Sequence, residues 1–244
     1  MPYTTLNPDK IIKTAEILET RVRERFPAAS LVGVATEIKS IAIDAKARTN
    51  EVSQPIRWVR MFTALSVVVG ILIFFFVGRF LTFDRISTGA FDFVQGIEAL
   101  INAVVLVVIG FLTIAKMEER IKRRKVLDGL HGLRSVIHII DMHQLTKDPI
   151  SLQAGFTPTK SSPERKLKPA ELVRYLDYCS EMLSITGKIS ALYAQAVPDM
   201  EVVNAVNDVE ALGGNLARKI WQKIMLIEPE KTPIKRNMKA RQKT

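Results

Sequence analysis

Apolar positions in this chain follow two patterns: long unbroken runs near the middle, and helix-period stripes on either side. Met61 to Gly78 carries no ionisable residue, and Ala99 to Ala115 is a second such run, closed by Lys116. Each approaches the roughly 20 residues that span ~30 Å of hydrocarbon at about 1.5 Å per residue. The pattern predicts transmembrane helices at about 59–79 and 97–116, joined by an extracytoplasmic loop at about 81–95. Residues 55–117 thus form a membrane hairpin, and its two ends lie on the same side.

Outside the hairpin, apolar residues recur at steps of three and four, the period of amphipathic helices. Residues 1–54 predict a helical hairpin: Asn7-Pro8-Asp9 opens one helix with the stripe Ile11, Ala15, Leu18 and Val22, and Pro27 stops it. A second stripe follows at Leu31, Val34, Ile38, Ile41 and Ala45, before Ser53-Gln54-Pro55 breaks the chain. Residues 118–150 continue the second span as a helix whose stripe, Val126, Leu130, Leu133, Ile137 and Ile140, resembles a short coiled-coil seam. Residues 151–168 lack periodicity and carry Gly155, Pro158 and Pro163, so they predict a linker. Residues 169–228 predict a second helical hairpin, with Leu172, Leu176, Cys179, Met182, Ile185, Ile189 and Leu192 buried on one helix and Val202, Val206, Val209, Leu216 and Ile220 on the other. Gly213-Gly214 predicts a kink or a close crossing in the latter, and residues 229–244 predict a basic disordered tail. With no strand-period alternation, the expected fold is all-α: a transmembrane hairpin plus a cytoplasmic helical bundle formed from both termini.

Composition sharpens this picture. The chain has 244 residues, 35 Lys plus Arg against 25 Asp plus Glu, and a single cysteine. Cys179 alone forms no internal disulfide, and no Cys/His spacing marks a zinc finger or redox pair. The first apolar run begins at Met61 behind a charged segment, unlike a cleaved signal peptide. No glycine-rich phosphate loop, G-x-S-x-G elbow, H-E-x-x-H pair or kinase signature is present. Basic residues flank the outer ends of the runs: Arg57 and Arg60 before the first, and Lys116, Arg120, Lys122, Arg123, Arg124 and Lys125 at and after the second. By the positive-inside rule both termini are cytoplasmic. Arg120 to Lys125 would sit at anionic lipid headgroups, each charge attracted by about 1 kcal/mol. With no groove-reading motif or aromatic platform, a lipid bilayer rather than nucleic acid is the partner this charge implies.

Within the spans, Ser66 and Gly70 form a small-x-x-x-small pair suited to close helix packing. On the second run, Glu98, Asn102, Val105, Ile109, Thr113 and Lys116 share one face at about 100° per residue. Two readings compete: polar groups that hydrogen-bond to the neighbouring span, or a pore face with an apolar waist at Val105 and Ile109. The pore requires a homo-oligomer, since two spans enclose no conduit.

The three histidines fall in one short stretch with Asp141 and Asp148. His138, Asp141 and His143 are acceptable ligand types for a divalent metal, the one cofactor the sequence suggests. His143 joins the set only if its helix ends near Met142. Otherwise these residues form a polar helix end or a contact sensitive to pH near neutrality.

Ile137–Pro149 (IHIIDMHQLTKDP), Tyr175–Tyr193 (YLDYCSEMLSITGKISALY) and Leu216–Ile224 (LARKIWQKI) resemble segments of two-span predicted bacterial membrane proteins. The resemblance implies a bacterial inner (plasma) membrane and carries over no catalytic residue. The expected function is a multi-pass inner membrane protein whose cytoplasmic module interacts with a protein partner or senses a ligand. An oligomeric ion pore or membrane effector lined by the second span is the alternative, and a metal-dependent enzyme using the 131–148 cluster ranks third.

Overall fold

In a computed structural model, which describes residues 4–80, 90–152, 155–163 and 167–227, the chain is all-helical, with no strand among the described residues. Asn7 opens the first helix, α1 (Pro8–Arg25): its side-chain oxygen accepts from the backbone N–H groups of Asp9 and Lys10 at 2.9 and 3.3 Å. Four further helices with amphipathic sequence follow the same logic: α2 (Leu31–Ser53), α5 (Met117–Leu145), α6 (Pro169–Ala196) and α7 (Met200–Ile227). Between α2 and α5 stand the two most apolar helices, α3 (Arg57–Phe80) and α4 (Ala90–Ala115). A short 3-10 turn, Pro149–Leu152, follows α5.

Helices α1, α2, α5, α6 and α7 bury their stripes in one core. At its centre is α6, which packs against α1, α2, α5 and α7. Its stripe of Leu172, Leu176, Cys179, Met182, Ile185, Ile189 and Leu192 is buried, and so are Tyr175, Tyr178, Leu183, Thr186, Ser190 and Tyr193. Such burial around much of the circumference is what a helix enclosed by neighbours requires. Thr186 and Ser190 satisfy their hydroxyls on the carbonyls of Met182 and Gly187, at 2.9 and 2.7 Å, so neither leaves an orphaned polar group. Glu19 is the one buried acid of the described residues. Between α1 and α2 it accepts from Lys39 at 2.7 Å and Thr36 at 3.0 Å and pairs with Arg23.

Helices α3 and α4 pack against each other and lie outside that core. Of their described side chains only Val59 is buried. Met61 is 73% exposed, Leu72 62% and Leu106 71%. The stretch Leu31–Leu72, in which α2 leads into α3, contains an apolar segment long enough to cross a membrane, and 6% of that segment is buried.

Two glycines make close packing possible. At Gly213, where α7 runs on without a break, an added Cβ would lie 3.7 Å from Ile137 Cδ1 and 3.9 Å from the Leu183 carbonyl; the Gly-Gly pair marks a close crossing and no interruption. At Gly129 on α5 the fit is far tighter, with the Tyr193 hydroxyl 2.5 Å and its ring carbon Cζ 2.7 Å from where a Cβ would stand. Tyr193 is 1% exposed and has no room to retreat. Gly129→Ala therefore costs about 1 kcal/mol or more net, overpacking outweighing the gain in helix propensity. Gly132→Ala, into open space one turn on, stabilises by about 0.5–1 kcal/mol. Thermal unfolding in mild detergent, followed by circular dichroism, should show these opposite signs.

Candidate functional site

The join between α3, α4 and the bundle is built around Glu118, in the first turn of α5. Its carboxylate accepts the backbone N–H of Ile56, just before α3, at 3.2 Å, and the Nε of Arg60 at 3.2 Å. Lys122, one turn on, adds an ion pair at 2.9 Å. The side chain is 15% exposed. Its pKa lies below the ordinary 4.5, chiefly through the Lys122 hydrogen bond, against an opposing effect of burial. Two further pairs extend the collar: Lys125 meets Glu51 of α2 at 2.6 Å, and Arg123 lies 3.1 Å from Glu201 and 3.6 Å from Asp199 at the start of α7. Of the basic run expected at lipid headgroups, Lys122, Arg123 and Lys125 thus have acidic partners within the chain. Arg120 and Arg124 are exposed and have no ion pair with a described residue.

On α4, Glu98, Asn102, Val105, Ile109 and Thr113 are exposed, as is Lys116 just beyond it. The face that meets α3 is identified by Gly70, where an added Cβ would lie 4.0 Å from Val107 Cγ1. Val107 is about half a turn from the polar stripe at 100° per residue. The stripe therefore faces away from α3. Thr113 donates to the Ile109 carbonyl at 2.8 Å, and on α3 Thr63 and Ser66 donate to Val59 and Thr63 carbonyls at 2.9 and 2.8 Å. These hydroxyls are satisfied within their own helices. Asn102 has no hydrogen-bond partner among the described residues.

The structure places His138 and His143 on different sides of α5. Helix α5 continues through Met142 to Leu145, so His138 and His143 project about 140° apart. His138 is exposed, and the Asp141 carboxylate accepts from Gln144 Nε2 at 2.6 Å. No group of three or more His, Cys, Asp or Glu among the described residues is placed to hold a metal ion.

His143 instead meets residues that the sequence did not single out. Its Nδ1 lies 3.4 Å from both Ser30 Oγ, before α2, and the Tyr175 hydroxyl of α6. Lys147 covers the Tyr175 ring at 5.1 Å, and Phe26 meets its edge at 5.6 Å. On the other side of α5, Lys223 donates to the Gln144 side chain at 2.6 Å and its carbonyl at 3.0 Å. Beside this junction a cleft of about 770 Å³ has Leu145, Phe156 and Leu172 in its lining, with Lys147, Asp148 and Ser151 as polar groups. Its size suits a small ligand.

No family model matches the chain, and neither a curated protein nor a solved structure matches it. The bacterial setting implied by the three C-terminal segments has no matched relative behind it.

Two pH effects follow. Because the Glu118 pKa is lowered on folding, its contribution is present above pH 4.5 and lost as pH falls through the lowered value. Glu118→Gln should cost about 1–3 kcal/mol at pH 7 and give a shallower acid limb in urea unfolding titrations. The His143 pKa is lowered from 6.5, first by burial and then by Lys147. The neutral ring is therefore favoured in the fold, and stability declines as pH drops below 6.5. In His143→Gln that part of the decline should vanish; an unchanged profile would show that the ring is not held neutral.

Proposed function

We propose that the chain is a two-span protein of the bacterial inner membrane, with α3 and α4 as the hairpin and the five-helix bundle as a cytoplasmic interaction or sensing module. The observation that carries this reading is the exposure of apolar side chains along both α3 and α4, which contribute no stripe to the common core that the other helices share. An exposed apolar surface of this extent needs a partner or a membrane, and its concentration on two adjacent helices of near-membrane length favours lipid. The flanking basic residues favour a cytoplasmic bundle.

The module is coupled to the hairpin by continuous backbone. Lys116 N–H donates to the Leu112 carbonyl and Arg120 N–H to the Lys116 carbonyl, both at 3.1 Å, so the one residue between α4 and α5 is bonded to each of them. A ligand or partner helix that engages the cleft beside Lys147 acts on the far end of α5. Binding shifts the position of α4 only as far as it distinguishes two arrangements of α5. That is the physical content of sensing in this architecture.

Topology mapping tests the proposal. In a Cys179→Ser background, a cysteine introduced at Ser87, between the spans, should react with an impermeant maleimide in intact cells. One at Lys160, in the bundle's exposed connection, should react only after permeabilisation, and the protein should resist alkaline extraction from membranes. Equal labelling of both positions in intact cells, or release at high pH, would sink the reading.

A further inference from the structure

Among the described side chains of α4, Glu98 and Asn102 have no hydrogen bond or ion pair, and Asn102 is the one further from the helix end. It stands one turn from Glu98, about 6 Å inside it at 1.5 Å per residue, on the face opposite the α3 contact. The nearby hydroxyls of Thr63, Ser66 and Thr113 bond to their own helices. Asn102 does not. At hydrocarbon depth an amide with no partner is costly, and water cannot relieve it.

We infer that the polar face of α4 is a self-association surface, in which Asn102 hydrogen-bonds to Asn102 of a second copy of this chain across a two-fold axis normal to the membrane. The inference rests on the two-span reading above. Three features select a second copy over another occupant. Copies insert with one topology, so the same residue lies at the same depth in each. A carboxamide carries both donor and acceptor, so a pair of them is self-complementary, as a two-fold contact demands. The rest of the face at that depth, Val105 and Ile109, is apolar and forms a packing seam on the same arc. Glu98 and Lys116 lie toward the two ends of the run, where their charges reach water and do not have to pair across the axis.

The test uses the full chain reconstituted in lipid bilayers at graded protein-to-lipid ratios. With the native cysteine replaced (Cys179→Ser) and Asn102 kept, single cysteines at 105 and 109 should crosslink between copies under mild oxidation. Cysteines at 104 and 107, turned toward α3 or its flank, should not. By energy transfer between labelled copies, Asn102→Leu should weaken dimerisation by roughly threefold to thirtyfold, the range of one membrane-buried hydrogen-bonded pair, and Asn102→Gln should retain most of it. Crosslinking as strong at 104 and 107 as at 105 and 109, a chain that stays monomeric while resisting alkaline extraction, or a ring of four or more copies would each overturn the two-fold contact alone. A chain released from membranes at high pH would overturn the spanning reading and the contact with it.

Discussion

The architecture depends on how one carboxylate joins two parts of the chain with opposite solvent demands. Glu118 accepts from the chain entering α3 and from Arg60 and Lys122, so the start of one apolar helix and the continuation of the other are held at a single charge. At 15% exposure the group is sheltered enough for these contacts to matter and wet enough not to carry a deep-burial penalty. Removing it would leave three donors converging on nothing, and the loss of an accepted charge costs more than the pair contributed. The weaker pairs around it, Lys125 with Glu51 and Arg123 with Glu201, each contribute little alone. Their value lies in geometry, since they fix the ends of α2 and α7 against the same two turns of α5.

Below that collar the bundle is organised by α6. Periodicity in the sequence located its principal stripe because a helix repeats its own apolar positions whatever surrounds it. It could not tell that Tyr175, Tyr178 and Tyr193 are buried as well, since the number of neighbours around a helix is a property of the assembly and not of its period. Gly129 is the clearest case: in the sequence it is an ordinary helix-weakening glycine, and in the fold it is the place where Tyr193 fits. The breaks at Pro27 and at Ser53-Gln54-Pro55 were legible because proline and capping side chains act locally.

The candidate sites were legible to different depths for the same reason. A run of Arg and Lys announces itself, but Glu51, Asp199 and Glu201, which take part of its charge, are distant along the chain. His138 and His143 look like partners by composition, and the continuation of α5 to Leu145 turns them to different sides of the helix. Tyr175 and Lys223, which do meet the end of α5, carried no motif. The polar arc of α4 could be drawn from the sequence, yet its direction relative to α3 waited on the contact of Gly70 with Val107.

That direction bears on how far any contact between copies extends. The apolar stripe of α5, which resembled a coiled-coil seam, is consumed by the chain's own core: Val126, Leu130, Leu133, Ile137 and Ile140 are all buried. Only Lys116, itself in the αR region, separates α4 from α5, so the face bearing Asn102 passes on α5 close to Arg120, His131 and His138, counted at about 100° per residue. All three are exposed. A seam that begins at Val105 and Ile109 therefore meets a guanidinium and polar rings once it leaves hydrocarbon, and like charges facing each other across a two-fold axis oppose its extension. Pairing through α4 would hold two hairpins together while leaving each bundle separate, with the cleft beside Lys147 open to its own ligand. Two abutting helices would then serve both demands because they turn different faces inward: α5 gives its apolar face to the bundle, and α4 would give Asn102 to a second copy.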